Sequence, residues 1–496
     1  MATSVILEKD DRVGLAYWME EVLEQCAKAE RDFSSDPVHD LRTALRRCRS
    51  LADGIKVFDR DPAWKKMRRA AKELFGSLGE LRDTHVMVEW VEKLSPEGDP
   101  TGKNIRGFLT FREQESRTRA AGVLQNFDYR QWRTWTAKLP GRAMRIPPGS
   151  PVLAHLALER WHEAHALHLR ASRNRTNVAF HDLRIAIKRF RYTIENFLPV
   201  LHQSWSGDLK EVQDILGKIH DLDVLWQTAL QIKAFPDAVA RAEWRTRLVQ
   251  EREQRLAMYR SKMIGKNSLW TVWRESLPRE DECKTLGLER LKIWAAFLDP
   301  KTSHSKHVAE LALQIYDGVS VHDFLRGPSC DSYRFILRAA ALMHDVGRAK
   351  TNSGYHKASA RLIRKLASPL GWTAGELRVA ALVVRYHRGA LPTGAQREFA
   401  TLSASKQRLV QFLAGILRLA CACDWKQDRQ IAGLQVESLN PVITVRAKGY
   451  VESTALAEHI AAARHLLELT CHRPVFLVAA EQMTVDAKVK IRAQAA

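Results

Sequence analysis

Three separated segments in the second half of this chain carry side chains able to hold a divalent metal. They are His304-Ser305-Lys306-His307-Val308-Ala309-Glu310-Leu311-Ala312, Ala341-Leu342-Met343-His344-Asp345-Val346-Gly347-Arg348 and Arg418-Leu419-Ala420-Cys421-Ala422-Cys423-Asp424. Together they supply His, His-Asp and Asp. Neutral imidazole and carboxylate suit borderline to hard divalent ions, and a site with few protein ligands leaves room for water and a phosphate oxygen. That is the chemistry of metal-assisted hydrolysis.

The first half carries a different chemistry. His39, Arg42, Arg46 and Arg49 stand at i, i+3, i+7 and i+10, and His181, Arg184, Lys188 and Arg191 repeat the spacing. On a helix these four positions fall within a sector under about 90° wide. Leu41, Leu45 and Cys48, like Leu183, Ile187 and Phe190, point the other way, so the helix can pack its back and present a ladder of cationic donors. Arginine and lysine keep their charge at neutral pH, and the guanidinium fork pairs two phosphate oxygens. Lys65, Lys66, Arg68, Arg69 and Lys72 add a further basic run. An isolated run of this kind is ordinarily a solvated face; a duplicated ladder is harder to dismiss.

The elements that must position these residues are helical. Val38 to Arg49 matches Phe180 to Arg191 without a gap, and Leu78-Gly79-Glu80-Leu81-Arg82-Asp83 is followed in the second copy by Leu216-Gly217-Lys218-Ile219-His220-Asp221. Two matched pairs in order indicate duplication. Apolar residues at helical spacing predict an all-helical, pseudo-twofold domain over 1–275, with the Pro- and Gly-rich stretch Pro140 to Pro151 connecting the halves. A weaker boundary falls near Leu277 to Gly287. A helical pattern resumes over 285–430, where His344 and Asp345 close an apolar helix (Ile336, Ala339, Ala340, Met343) just before Gly347. Residues 431–496 read as a small α+β tail: a strand at Val442 to Lys448, a helix at Ser453 to Thr470 and a strand at Pro474 to Ala479. The expected fold class is mainly α, two helical bundles followed by a helical metal domain and this tail.

Composition bounds the partners. The 496 residues include 78 Lys+Arg against 57 Asp+Glu, a formal charge of +21, which attracts polyanions: nucleic acid, anionic membrane or phosphate polymers. The seven cysteines form neither a CxxC pair nor a regular framework, which suits reduced thiols in the cytoplasm. Cys421 and Cys423 point about 200° apart on a helix and read as core residues. The N-terminal acids from Glu8 to Asp11 and the lack of a long apolar stretch argue against secretion and membrane spanning.

The paired V/F-HDLR-x-A-x-[RK]-R-x-R segments with their LG-x-x-[RH]-D partners resemble the conserved histidine α-helical (CHAD) domain over roughly residues 5–275. The resemblance implies two similar four-helix bundles around a basic channel that binds inorganic polyphosphate. His39, Arg42, Arg46, Arg49, His181, Arg184, Lys188 and Arg191 would line that channel. Neither ladder carries the aromatic interleaving that stacks unpaired bases, so any nucleic-acid binding is expected to be nonspecific.

The second half resembles the HD phosphohydrolase superfamily, in which H…HD…D binds one divalent metal. The resemblance implies His304, His344, Asp345 and Asp424 as ligands; His307 competes for the first place, but Val308-Ala309-x-Leu311-Ala312 favours His304. Gly354-Tyr355-His356-Lys357-x-Ser359-Ala360, Val384-Arg385-Tyr386-His387-Arg388 and the tail further resemble the C-terminal part of exopolyphosphatase/guanosine pentaphosphatase proteins, over 285–485. The actin-like domains that carry catalysis in that family have no counterpart here. By this resemblance Asp345, His344 and Arg388 would be catalytic, with Asp345 orienting water and Arg388, Lys357 or Arg348 neutralising developing charge. His356 and His387 are accessory candidates for phosphate or a second metal.

The expectation is a cytoplasmic, metal-dependent (Mg, Mn or similar) phosphohydrolase that captures polyphosphate on its basic helices and sits with polyphosphate granules. Two alternatives stand beside it: a non-catalytic polyphosphate adaptor, and a nucleotidase for guanosine tetra- or pentaphosphate regulated by polyphosphate.

Overall fold

The structure, a computed structural model, describes residues 14–299, 301–319, 330–439, 441–451 and 453–480. The acidic stretch from Glu8 to Asp11 and the end of the tail beyond 480 lie outside them. The chain divides into two compact units, Met1–Arg279 and Glu280–Ala496.

The duplication is written in helix lengths. In the first unit α1 (Leu15–Arg31), α2 (Ser35–Ile55), α3 (Pro62–Leu94), α4 (Pro100–Gln125) and α5 (Tyr129–Ala143) are followed by α6 (Pro151–Asn174), α7 (Asn177–Phe197), α8 (Pro199–Gln231), α9 (Ala238–Met263) and α10 (Leu269–Glu275). Both α2 and α7 have 21 residues, α3 and α8 have 33, and α4 and α9 have 26. Each half therefore has four long helices and one shorter fifth helix. Several starts follow from local chemistry: proline at the first helical position in α3, α4, α6 and α8, and Asp61, Asp99, Asp128, Thr176 and Asp237 accepting from backbone N–H groups of the first turn. Pro140 does not end α5, as its composition suggests; the helix runs on to Ala143. Arg142 anchors that last turn by a bidentate pair to buried Asp59, at 2.6 Å for each bond.

The halves meet through α2 on α7 and α3 on α8. Gly54 makes the first approach feasible: a Cβ there would lie 2.2 Å from the Phe197 ring. Leu41, Leu45, Cys48, Leu183, Ile187 and Phe190 are fully buried, so both ladder helices are fixed from behind.

The second unit comprises α11 (Glu280–Leu298), α12 (Thr302–Gly318), α13 (Cys330–Met343), a 3-10 turn (Val346–Ala349), α14 (Tyr355–Ile363), α15 (Ala374–Tyr386), α16 (Arg397–Ala400) and α17 (Ala404–Cys423). It ends with β1 (Gly433–Leu439), β2 (Val442–Lys448), α18 (Thr454–Cys471) and β3 (Val475–Ala479). Strand β1, unforeseen in the sequence, pairs antiparallel with β2, and β3 pairs parallel with β2 from Ile443↔Val475 onward. Alternate residues of β2, Ile443, Val445 and Ala447, enter one continuous core with α12, α13, α15, α17 and Leu467 of α18. Period-two burial is what ties the tail to the helices. The six cysteines with described side chains are free thiols.

Candidate functional site

The ends of four helices converge in the second unit. His304 stands in the first turn of α12, His344 and Asp345 follow α13, His387 caps α15, and Asp424 caps α17. Gly347 and Ser359 set the His-Asp turn. The Ser359 hydroxyl donates to His344 O at 2.7 Å and accepts from Gly347 N at 2.8 Å. A Cβ on Gly347 would lie 2.2 Å from Tyr355 O, so only glycine admits α14 this closely.

The histidines share one orientation. His304 Nδ1 lies 2.7 Å from Asp424 Oδ2, His344 Nδ1 lies 2.7 Å from Ala341 O, and His387 Nδ1 lies 2.7 Å from Val384 O. Each partner accepts, so each Nδ1 carries the proton and each Nε2 keeps its lone pair. This is how outer hydrogen bonds prepare imidazoles for metal. Donor atoms of His304, His344 and Asp345 lie within 4.8 Å of one another, and so do those of His344, His387 and Cys421. Asp345 is buried; its Oδ2 meets Arg348 Nε at 2.8 Å, while Oδ1 has no hydrogen-bond partner.

Asp424, expected as the fourth ligand, is placed differently. One of its oxygens receives the His304 Nδ1 proton and the other accepts from Arg429 N at 2.9 Å, so it orients His304 instead of joining the clustered donors. His307 faces away, with Nε2 on Ile431 O at 2.8 Å. His356 is buried beside His387, ring centroids 6.2 Å apart. Lys357 is exposed and does not line the cavity.

Electrostatics follow burial. Burial would raise the Asp345 carboxyl, but His344 and Arg348 outweigh it and hold it below the usual carboxylate range. Burial lowers His344, His356 to about 4 and His387 to about 3, so these imidazoles are neutral at pH 7. A cavity of about 460 Å³ opens over the cluster, lined by His304, His344, His387, Cys421 and Asp424, with Arg348, Arg388 and Arg418 supplying positive charge. Arg418 is tied down, donating to Tyr386 O at 2.7 Å and Gly389 O at 2.7 Å, and so clamps the loop that carries His387 and Arg388. Sequence reasoning missed Arg418, Tyr355, Trp425 and His459 on this cavity, and read Cys421 as core. Only Cys421's place one helical turn before Asp424 could have pointed to it.

In the first unit the ladder residues are propped by aromatic rings. Arg42 and Arg49 lie over Phe75, each 4.6 Å from its centroid, and Arg46 (5.5 Å) and Arg191 (5.9 Å) share Tyr192. The Nε atoms of Arg46, Arg49 and Arg184 are buried without a protein partner. His39 is exposed, and His181 packs on His220 at 5.0 Å. Arg184 and Lys188 line a cavity of about 490 Å³ with Arg82, Lys218, Asp221 and Arg255. Burial and the Arg184 charge push Lys188 down to about 8, and Arg46 of the other half adds to this. Burial pushes Asp221 up to about 6, with Asp83, its counterpart in the first repeat, contributing. These two aspartates of the repeat motif put negative charge among the ladders. Of the additional basic run, Lys65, Lys66, Arg69 and Lys72 are exposed, and Arg68 pairs with Asp53 at 2.8 Å.

Residues 17–230 match the family model described as CHAD domain, and residues 298–460 match that described as Ppx/GppA phosphatase, domain III. The chain is thus similar to CHAD domains over most of its first unit and to one domain of a phosphatase family over its second. Among solved structures, the crystal structure of the CHAD domain from the plant Ricinus communis is 20% identical, with a TM-score of 0.38, over 53% of this chain and 90% of that one. No curated protein matches the chain. No helix among the described residues is long and apolar enough to cross a membrane.

Proposed function

We propose that the second unit is an HD-type, divalent-metal phosphohydrolase for polyphosphate or a related phosphoanhydride, and that the first unit captures the polyphosphate chain on its two ladders. The observation that carries this reading is the convergence of His304, His344 and Asp345 donor atoms within 4.8 Å, beside a cavity also lined by Arg348 and Arg388. The donor set fits a divalent ion: two imidazoles whose Nδ1 atoms are committed elsewhere, and a buried carboxylate oxygen with no hydrogen-bond partner that lies 3.5 Å from His344 Nε2. A metal held there would lower the pKa of a bound water and polarise a phosphoryl oxygen.

The protein's own groups do the rest. Asp424 and the Ala341 carbonyl fix the tautomers of His304 and His344. Arg348 holds Asp345 Oδ2, which leaves Oδ1 as the oxygen that would hold the metal and so position the water beside it. Arg388, donating to Tyr355 Oη at 3.3 Å, stands where it can offset charge growing on a transferred phosphoryl group. In the first unit, the two ladders of guanidinium and ammonium groups suit a row of phosphate oxygens. Localisation with polyphosphate granules would follow from that binding.

The test is phosphate release by the full-length chain from polyphosphates and guanosine polyphosphates with Mg²⁺, Mn²⁺ or Co²⁺. Release from polyphosphate supports the reading. No release from any substrate with any metal overturns it in favour of a polyphosphate-binding adaptor, a role consistent with the Arg348–Asp345 pair that occupies one donor oxygen.

A further inference from the structure

His387 and Cys421 take no part in the hydrolytic reading, yet they stand against it. His387 is 4% exposed, its Nδ1 proton is committed to Val384 O, and its Nε2 is buried with no hydrogen-bond partner, so the Cys421 thiol does not satisfy it. A buried, unpaired imidazole nitrogen is costly unless something binds it. Its donor atom, that of His344 and Cys421 Sγ lie within 4.8 Å of one another, and all three residues line the cavity.

We propose that His344, His387 and Cys421 form a second metal position, selective for thiophilic divalent ions such as Zn²⁺ or Cd²⁺ and competing with the first for His344. The donor types decide the selectivity. His304, His344 and Asp345 offer nitrogen and oxygen, which suit Mn²⁺ and Mg²⁺; the second set replaces the carboxylate by a sulfur, which favours softer ions. The competition follows from tautomer geometry. The Nδ1 of His344 is bound to Ala341 O, so its one remaining lone pair serves a single ion. An ion on Cys421 and His387 that also takes His344 strips the oxygen-containing set of an imidazole, and zinc then displaces the hydrolytic metal. Cys421 loses its proton to solvent as the metal–sulfur bond forms, with no change of oxidation state.

The proposal rests on the metal reading of the first set, and its test separates the two. Full-length protein is titrated with Co²⁺ and followed by optical absorption, with Zn²⁺ and Cd²⁺ by calorimetry, and with Mn²⁺ by electron paramagnetic resonance. A thiolate-to-cobalt charge-transfer band is expected, lost in Cys421→Ser and in His387→Gln but kept in Cys423→Ser. Cys421→Ser should weaken Zn²⁺ and Cd²⁺ at least about tenfold, the lower end of what losing even an outer-shell partner costs. Mn²⁺ binding should stay within about twofold, since its donors are untouched. If Mn²⁺ binds but cobalt gives no thiolate band, the second position is overturned and the first stands. If the band appears and Mn²⁺ does not bind, the thiophilic position stands alone. A band that survives Cys421→Ser but not Cys423→Ser also overturns it.

Discussion

In the proposed reading, the two units prepare for phosphate in opposite ways. In the first, the candidate phosphate-binding groups are flank residues of single helices: Arg42, Arg46, Arg49 and Arg191 stack on Phe75 and Tyr192, while Arg184 and Lys188 line a cavity. In the second, they are helix-end residues, with His344, Asp345 and His387 buried to a few percent exposure and His304 half-buried, each imidazole already held by an outer partner. A ladder needs only periodicity along one helix, and packing its apolar back suffices to aim it. A metal set needs several chain segments to arrive within about 5 Å, so it depends on the turns and glycines between them. Disturbing one element should therefore be graded in the first unit and all-or-none in the second.

The largest effect tests the second half of that contrast. Asp345→Asn should lower metal-dependent phosphate release at least about 100-fold, the scale on which disturbed metal sites fail. Polyphosphate binding by the same full-length variant, read by calorimetry, should be unchanged. Loss of binding as well would show that the two chemistries are not separable as drawn.

Next comes the ladder. Charge reversal at Arg42, Arg46, Arg184 and Lys188 together should weaken binding of long polyphosphate more than about 100-fold, since each charge-assisted bond contributes about 1.5–3 kcal/mol. Arg46→Ala alone should lower the salt slope of binding by about one, because one fewer condensed counterion is released. Unaltered binding by the fourfold variant would sink the capture role. Hydrolysis of a short substrate should survive both changes.

A smaller effect is expected at the turn itself. Gly347→Ala places a Cβ 2.2 Å from Tyr355 O and 2.5 Å from Ser359 N, both backbone atoms that cannot swing aside. Overpacking of this kind costs about 1–3 kcal/mol. A melting temperature equal to the parent's, with unchanged Mn²⁺ affinity, would contradict the close approach.

The same contrast explains what could be read from the sequence. The duplication, the ladders and the buried backs of α2 and α7 were legible because each is a pattern within one helix. Strands β2 and β3 and helix α18 were legible from local period. Strand β1 was not, since Gly433–Leu439 gains its identity from pairing with β2. The extension of α5 past Pro140 depends on Arg142 finding Asp59, some 80 residues away in the chain. His304, His344 and Asp345 could be named only through a resemblance, since no spacing brings α12 to the end of α13. Asp424's grip on His304, the free Nε2 of His387 and the approach of Cys421 are products of convergence and leave no trace in linear order.

The smallest effect concerns pH, and it sharpens the account of the ladders because it needs no substitution of a basic residue. Asp221 titrates near 6 because burial disfavours its carboxylate, and Lys188 near 8 because burial and Arg184 disfavour its ammonium. Both line the cavity of about 490 Å³. As pH rises through 6 the cavity gains a negative charge, and as it rises through 8 it loses a positive one; both changes disfavour a polyanion. Affinity for polyphosphate should therefore fall in two steps between pH 5 and 9, each less than about tenfold, the equivalent of one pKa unit of coupling. A bound phosphate stabilises the protonated form of both groups, so binding should take up protons at pH 6 and at pH 8, measurable as a buffer-dependent heat. Asp221→Asn should erase the lower step and tighten binding at pH 7, while Lys188→Arg should erase the upper step with the lower one kept. An affinity flat across this range, or one that rises with pH, would remove Asp221 and Lys188 from the phosphate path and leave the aromatic-backed arginines as the whole of it.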